Sequence, residues 1–191
     1  AALPVQLLNP QPGETIADLC AAPGGKTLQL AASGARTIAV EASAKRMKRV
    51  AANLTRTGLS AEMITADAVA WRPEAPLDGV LLDAPCTATG TLRRRPDAAF
   101  AKQDGDVANL AKIQDALLDA AAERVKPGGR IVYCTCSLER DEGEDRVAAA
   151  LSRRSDLRLD RVSADETPGL EEAITQDGEV RTRPDLWAER G

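Results

Sequence analysis

The chain has 191 residues, 43% hydrophobic, 28% charged and only 2% aromatic. That is enough for one domain whose core is built from Ala, Leu, Val and Ile rather than from rings. It contains no histidine, which excludes Ser-His-Asp and Cys-His catalysis and every His-based zinc site, and leaves proton transfer to Asp, Glu, Lys, Cys or Tyr. A formal net charge of −4 argues against broad, sequence-blind affinity for nucleic acid, which depends on Lys and Arg neutralising phosphates.

In chain order, the opening AALPVQLLNPQPGE lacks the basic start and continuous apolar stretch of a signal peptide. It also lacks an initiator Met, so a processed product or a fragment is expected. No apolar run reaches the roughly 18 residues that a membrane span requires. Thr15 to Cys20 reads as a strand and Lys26 to Ala32 as a helix, joined through Gly24 and Gly25, where the chain turns sharply. Glycine permits that turn and lets a ligand approach the main chain, while a helix N-terminus offers unpaired N–H groups to a carboxylate or phosphate. The two glycines alone also fit an ordinary structural turn.

Arg36 to Glu41 reads as a strand, and Ser43 to Thr57 as a helix with Ser43 as N-cap and Gly58 as its stop. Met63 to Ala66 is a short strand, a Pro-rich loop covers Arg72 to Pro76, and Gly79 to Leu82 is a continuous apolar strand. Irregular chain follows from Pro85 to about Asp104. Val107 to Val125 reads as a long amphipathic helix closed by Pro127-Gly128-Gly129, then Arg130 to Cys134 as a strand, Glu142 to Arg153 as a helix and Leu157 to Val162 as a sixth strand. Strands alternating with helices of this length predict right-handed βαβ units: an α/β, Rossmann-like fold with a mostly parallel twisted sheet and helices on both faces.

Ligands of such sheets bind beyond the carboxyl ends of the strands. Four acids fall there in succession: Asp18, Glu41, Asp67 and Asp83, with Cys134 and Cys136 at the end of the fifth strand. One acid at a strand end is commonly a cap or turn residue; four after a Gly-rich turn point to a nucleoside pocket. Glu41 stands where an acid takes ribose hydroxyls, and Arg46 either holds Glu41 or is solvated. The basic clusters Lys45, Arg46, Lys48, Arg49 and Arg93, Arg94, Arg95 fit solvated surfaces as well as phosphate contacts. The four cysteines are Cys20, Cys86, Cys134 and Cys136. C-x-C with two distant singles is a poor match to paired zinc knuckles, so no metal is expected; without a secretory signal, reduced thiols in a cytoplasm are.

Three stretches, DLCAAPGGKT (18–27), DAPCTATG (83–90) and YCTCS (133–137), together resemble the RsmB/Nop/Sun family of RNA cytosine-5 methyltransferases. LLNPQPGE, the KPGG turn and RTRPD agree with it, and the resemblance covers nearly the whole chain. It implies a domain over 1–191 that binds S-adenosylmethionine through the segment Cys20, Ala21, Ala22, Pro23, Gly24, Gly25 and Lys26. Glu41 would hold the ribose with Arg46 beside it, Asp67 would lie near the adenine, and Asp83 would sit between cofactor and base. The family nucleophile maps to Cys136 and the second catalytic cysteine to Cys86, leaving Cys134 and Cys20 as small buried residues. The implied partner is RNA, 16S rRNA in the first place, with a single-stranded or loop cytosine as target and a monomeric enzyme. The family carries more chain at both ends, so an N-terminal RNA-binding region and a last strand are expected outside this sequence. A tRNA methyltransferase and a non-catalytic RNA-binding scaffold of the same fold stay open as alternatives, although a scaffold has no use for both Cys86 and Cys136.

Overall fold

Strands of a parallel sheet are covered on both faces and so read as near-continuous apolar runs; TIADL, RTIAVE and LDGVLLD have that character. In the computed structural model, which describes residues 2–96 and 105–187, they form the centre of a five-stranded sheet. Its strands are β1 (Thr15–Leu19), β2 (Arg36–Glu41), β3 (Glu62–Thr65), β4 (Leu77–Asp83) and β5 (Val125–Cys134). All pair in parallel, in the order β3-β2-β1-β4-β5. The chain winds outward from β1 to β3, then returns to β4 on the other side of β1. The order therefore reverses between β1 and β4, the switch point of a Rossmann-like sheet.

The chain forms two compact units, one of Ala1–Pro85 with Lys112–Thr135, the other of Cys86–Ala111 with Cys136–Gly191. The first holds the sheet. Its helices are α1 (Leu3–Leu8), α2 (Gly25–Ala32), α3 (Ala44–Thr57) and most of α4 (Asp106–Ala122). Val5 and Leu8 of α1 and Leu30 of α2 pack with Ile16, Ala35 and Leu81 in one core cluster. Complete burial of a Leu or Ile side chain stabilises by roughly 1.5–3 kcal/mol, so this cluster holds both helices on the sheet. On α3, Met47, Val50 and Leu54 are buried at helical spacing, while Lys45, Lys48 and Arg49 are exposed. That basic cluster is largely a solvated face. Ser43 caps α3 by accepting from the Arg46 N–H, and Gly58 ends it, as the sequence predicts.

Some expectations need correction. The long helix stops at Ala122, and Val125 already belongs to β5, because Val125 pairs with Leu77. The KPGG turn is therefore not a helix terminator: pairing resumes at Gly79 with Arg130, so these residues form a bulge within β5. Leu157 to Val162 forms no strand; in that stretch Val162 N–H donates to Gly178 O at 2.9 Å, and one such bond does not make a ladder. One helix went unmarked in the sequence: α1, which is only six residues long and contains Pro4. Pro lies in its first turn, where a missing N–H is tolerated, and Arg130 Nε donates to the Leu8 carbonyl at 3.0 Å while Nη2 pairs with Glu14 at 2.8 Å.

In the second unit a 3-10 turn at Thr89–Thr91 follows Cys86, and another at Arg140–Glu142 leads into α5 (Glu144–Arg153). The helix expected to start at Glu142 thus begins two residues later. Ile174 and Val180 form an antiparallel bridge, and Arg181 donates to Glu144 and to the Leu138 carbonyl.

Candidate functional site

In the first unit the acids at the strand ends have four different environments. Asp18 is fully buried, and its Oδ2 accepts from the Thr27 hydroxyl at 2.5 Å across the whole β1–α2 turn. Burial is the main cause that pushes its carboxyl up to about 7, with the charges of Asp83 and Glu41 adding to it against the Thr27 bond and Lys26. Asp18 is thus a structural clasp rather than a rim group, a correction to its place among the four acids. Glu41 is also almost completely buried. It accepts from Ala22 N–H at 3.3 Å and Ser43 N–H at 3.0 Å, and Arg46 lies 3.4 Å from its Oε1. Arg46 also donates to the Ala22 carbonyl at 3.0 Å, so it holds Glu41 and the turn together. Asp67 is exposed and accepts from Val69 N–H at 2.8 Å, the ordinary turn role of an Asp.

Asp83 ends β4 with both oxygens engaged. Lys26 Nζ lies 2.7 Å from Oδ2, and the Cys134 thiol donates to Oδ1 at 3.6 Å. Burial works against the Lys26 ammonium, but the hydrogen bond and charge of Asp83 outweigh it and hold the lysine above its ordinary range. Between Cys20 and Lys26 the chain makes a tight turn at Gly24, whose φ of +104° is open to glycine and strained for other residues. A side chain there would also press on Val50 of α3, 3.2 Å from the Cβ position. No side chain caps the N-terminus of α2, and the first N–H groups of a helix suit an anion.

The thiols divide in the same way. Cys20 is pushed up to about 12, by burial first and then by Glu41 and Asp18. Cys134 is raised further, by burial and then by Asp83. Neither ionises near neutral pH, and both are half-buried rather than fully buried. In the second unit, Cys86 and Cys136 bring their sulfurs to 3.3 Å, without a disulfide. Cys136 is exposed and Cys86 half-buried. At that distance the S–H of one can hydrogen-bond a thiolate on the other. Gly90 makes the approach of the two loops possible. Its N–H donates to the Cys136 carbonyl at 2.9 Å, and a Cβ on it would lie 2.7 Å from that oxygen.

The family model for 16S rRNA methyltransferase RsmB/F matches residues 5–187. The chain belongs to this family. It is 44% identical over 172 residues to ribosomal RNA small subunit methyltransferase B of Cronobacter sakazakii, covering 87% of this chain and 40% of that protein. Among solved structures, NSun6 from Pyrococcus horikoshii with SFG is 30% identical with a TM-score of 0.75, over 83% of this chain and 41% of that one. A methyltransferase homolog protein from the same organism is 34% identical with a TM-score of 0.67, over 78% of this chain and 48% of that one. The chain spans about 40% of the length of the curated relatives it matches.

Several pairings that shape these clusters gave no sequence signal. Thr27 is the partner of Asp18, Lys26 pairs with Asp83 from 57 positions away, and Gln114 of α4 donates to the Pro85 carbonyl at 2.8 Å. Among the described residues no group of three His, Cys, Asp or Glu is arranged to hold a metal ion, and no helix is long and apolar enough to cross a membrane.

Proposed function

We propose that this chain is the catalytic core of an S-adenosylmethionine-dependent cytosine-5 methyltransferase acting on small-subunit ribosomal RNA. The observation that carries the reading is the 3.3 Å approach of Cys86 and Cys136 in a chain without histidine, where the other two thiols are held protonated. The first unit fits the cofactor: the uncapped α2 N-terminus suits its carboxylate, and a Cβ on Gly25 would meet nothing within 4 Å. Glu41, fixed by Arg46, suits the ribose hydroxyls, and Asp67 the adenine. When bound, the group supplies an electrophilic methyl on a sulfonium sulfur.

Carbon 5 of cytosine is too weak a nucleophile to take that methyl unaided. The Cys136 thiolate adds to carbon 6 and turns carbon 5 into an enamine-like nucleophile. A free thiol is only a few per cent ionised near pH 7, and a hydrogen bond from the Cys86 S–H, whose sulfur lies 3.3 Å away, would favour the thiolate. Asp83 holds by hydrogen bond the proton that nitrogen 3 takes up as addition builds negative charge there, and the Lys26 ammonium, 2.7 Å from the carboxylate, fixes Asp83 for that contact. Once carbon 5 is methylated, Cys86, having released its own proton to solvent, takes the carbon 5 proton as a thiolate, and the bond from Cys136 to carbon 6 breaks with its electron pair returning to the Cys136 sulfur. The target base has to leave its stack, which favours single-stranded or loop RNA; the exposed Arg93, Arg94 and Arg95 suit the flanking phosphates.

The test incubates the full-length protein with substrate RNA and cofactor and runs it on a denaturing gel. Cys86→Ala is expected to transfer the methyl group and then stall as a ribonuclease-sensitive, slow-migrating adduct. Cys136→Ala and the double variant should form none. Adduct in Cys136→Ala would reverse the two roles, and inactive variants without any adduct would remove the covalent route.

A further inference from the structure

Glu142 is fully buried and has no task in the reaction above. A buried carboxylate is costly unless hydrogen bonds satisfy it, and this one is satisfied by the residue next to Cys86. Thr87 N–H donates to Oε1 at 2.9 Å and to Oε2 at 3.2 Å, and the Thr87 hydroxyl donates to Oε2. From there a chain of hydroxyls crosses to the other thiol loop. Thr87 Oγ1 lies 3.2 Å from Ser137 Oγ, which lies 3.1 Å from Thr89 Oγ1. Thr89 Oγ1 accepts from Leu138 N–H at 2.7 Å, and Ser137 Oγ from Glu139 N–H at 3.1 Å.

Counting protons gives this chain a direction. The Thr87 hydroxyl donates to Glu142, so its single proton is committed there. Ser137 must then donate to Thr87, and Thr89 to Ser137. Every hydroxyl donates once, and the sequence Thr89, Ser137, Thr87, Glu142 ends on the carboxylate. It laces residues 87–89 to residues 137–138, immediately beside both thiols.

We propose that Glu142 is a positioning residue for the release step: acting through Thr87 and Ser137, it holds Cys86 against Cys136. The proposal rests on the roles assigned to the two thiols above, but its geometric part is independent of them. In Glu142→Gln one accepting oxygen becomes an amide N–H₂ that faces the Thr87 N–H and O–H, which are themselves donors, and the direction of the chain is lost. Thr87→Val removes the central hydroxyl, whereas Thr87→Ser keeps it.

Two readouts on the full-length protein test this. The first is the rate at which diamide, which takes up the two thiol hydrogens as it becomes the hydrazine, joins Cys86 to Cys136, followed by mass spectrometry of the linked peptides. Glu142→Gln and Thr87→Val should slow the reaction about tenfold or more, as loss of one buried hydrogen bond of about 1.4 kcal/mol implies, while Thr87→Ser stays near wild type. The second is the adduct gel: both slow variants should transfer methyl and accumulate RNA adduct, as Cys86→Ala does. A general loss of structure would instead depress attack and release alike. Wild-type cross-linking in a folded Glu142→Gln or Thr87→Val overturns the proposal; if circular dichroism shows Glu142→Gln unfolded, Thr87→Val and its Ser control decide. If Cys86→Ala itself traps no adduct, the release role of Cys86 fails, and the cross-linking rate still decides the geometry.

Discussion

Asp18 makes stability depend on pH in the opposite sense to an ordinary paired carboxylate. Its folded-state value is raised from 3.8 to about 7, chiefly by burial, so the folded chain holds the proton more tightly than the unfolded one. The stability this gives is fully present below about 3.8 and is lost as pH rises towards 7. At 1.36 kcal/mol per pH unit the loss is about 4 kcal/mol, a large fraction of a typical domain's 5–15 kcal/mol. Asp18→Asn removes the titration while keeping an oxygen for the Thr27 hydroxyl. Its amide nitrogen, however, lies where Asp18 Oδ1 has no hydrogen-bond partner among the described residues, a penalty of about 1–3 kcal/mol at any pH. The variant should therefore be the less stable protein near pH 4 and the more stable one near pH 8. Urea denaturation of both proteins at half-unit intervals between pH 4 and 8.5 measures the difference. Curves that stay parallel within about 1 kcal/mol would refute the reasoning, since the same residual groups titrate in both proteins.

Gly90→Ala places a Cβ 2.7 Å from the Cys136 carbonyl oxygen and should destabilise by about 1–3 kcal/mol, read as a lower urea midpoint, with slower diamide linkage of the two thiols. Glu41→Ala removes the acceptor of the Ala22 and Ser43 N–H groups and the partner of Arg46. Titration calorimetry with S-adenosylhomocysteine should show at least about tenfold weaker binding, the effect of about 1.4 kcal/mol, and undiminished affinity would remove Glu41 from the cofactor site. Each of Arg93→Ala and Arg94→Ala should lower the salt slope of RNA binding by about one unit, measured by fluorescence anisotropy over a range of salt concentrations; unchanged slopes would make the loop a solvated surface.

What could be read from the sequence was what neighbours in the chain decide for one another. The apolar runs of β1, β2 and β4 identified buried parallel strands, and Ser43 and Gly58 marked the ends of α3, because capping and periodicity act within one or two turns. The three motifs likewise pointed to the family that the comparisons establish. Local signals are ambiguous in two places: Val125 continues a helical pattern but pairs with Leu77, and Leu157 to Val162 has strand composition but forms no strand. Only the tertiary structure could say that Asp18 turns inward to Thr27 while Asp83 meets Lys26, or that Glu142 serves Thr87 across 55 positions. Those outcomes follow from desolvation and hydrogen-bond satisfaction. A carboxylate's partner and its proton are set by which distant segments the fold brings against it, and no local pattern in the chain encodes that.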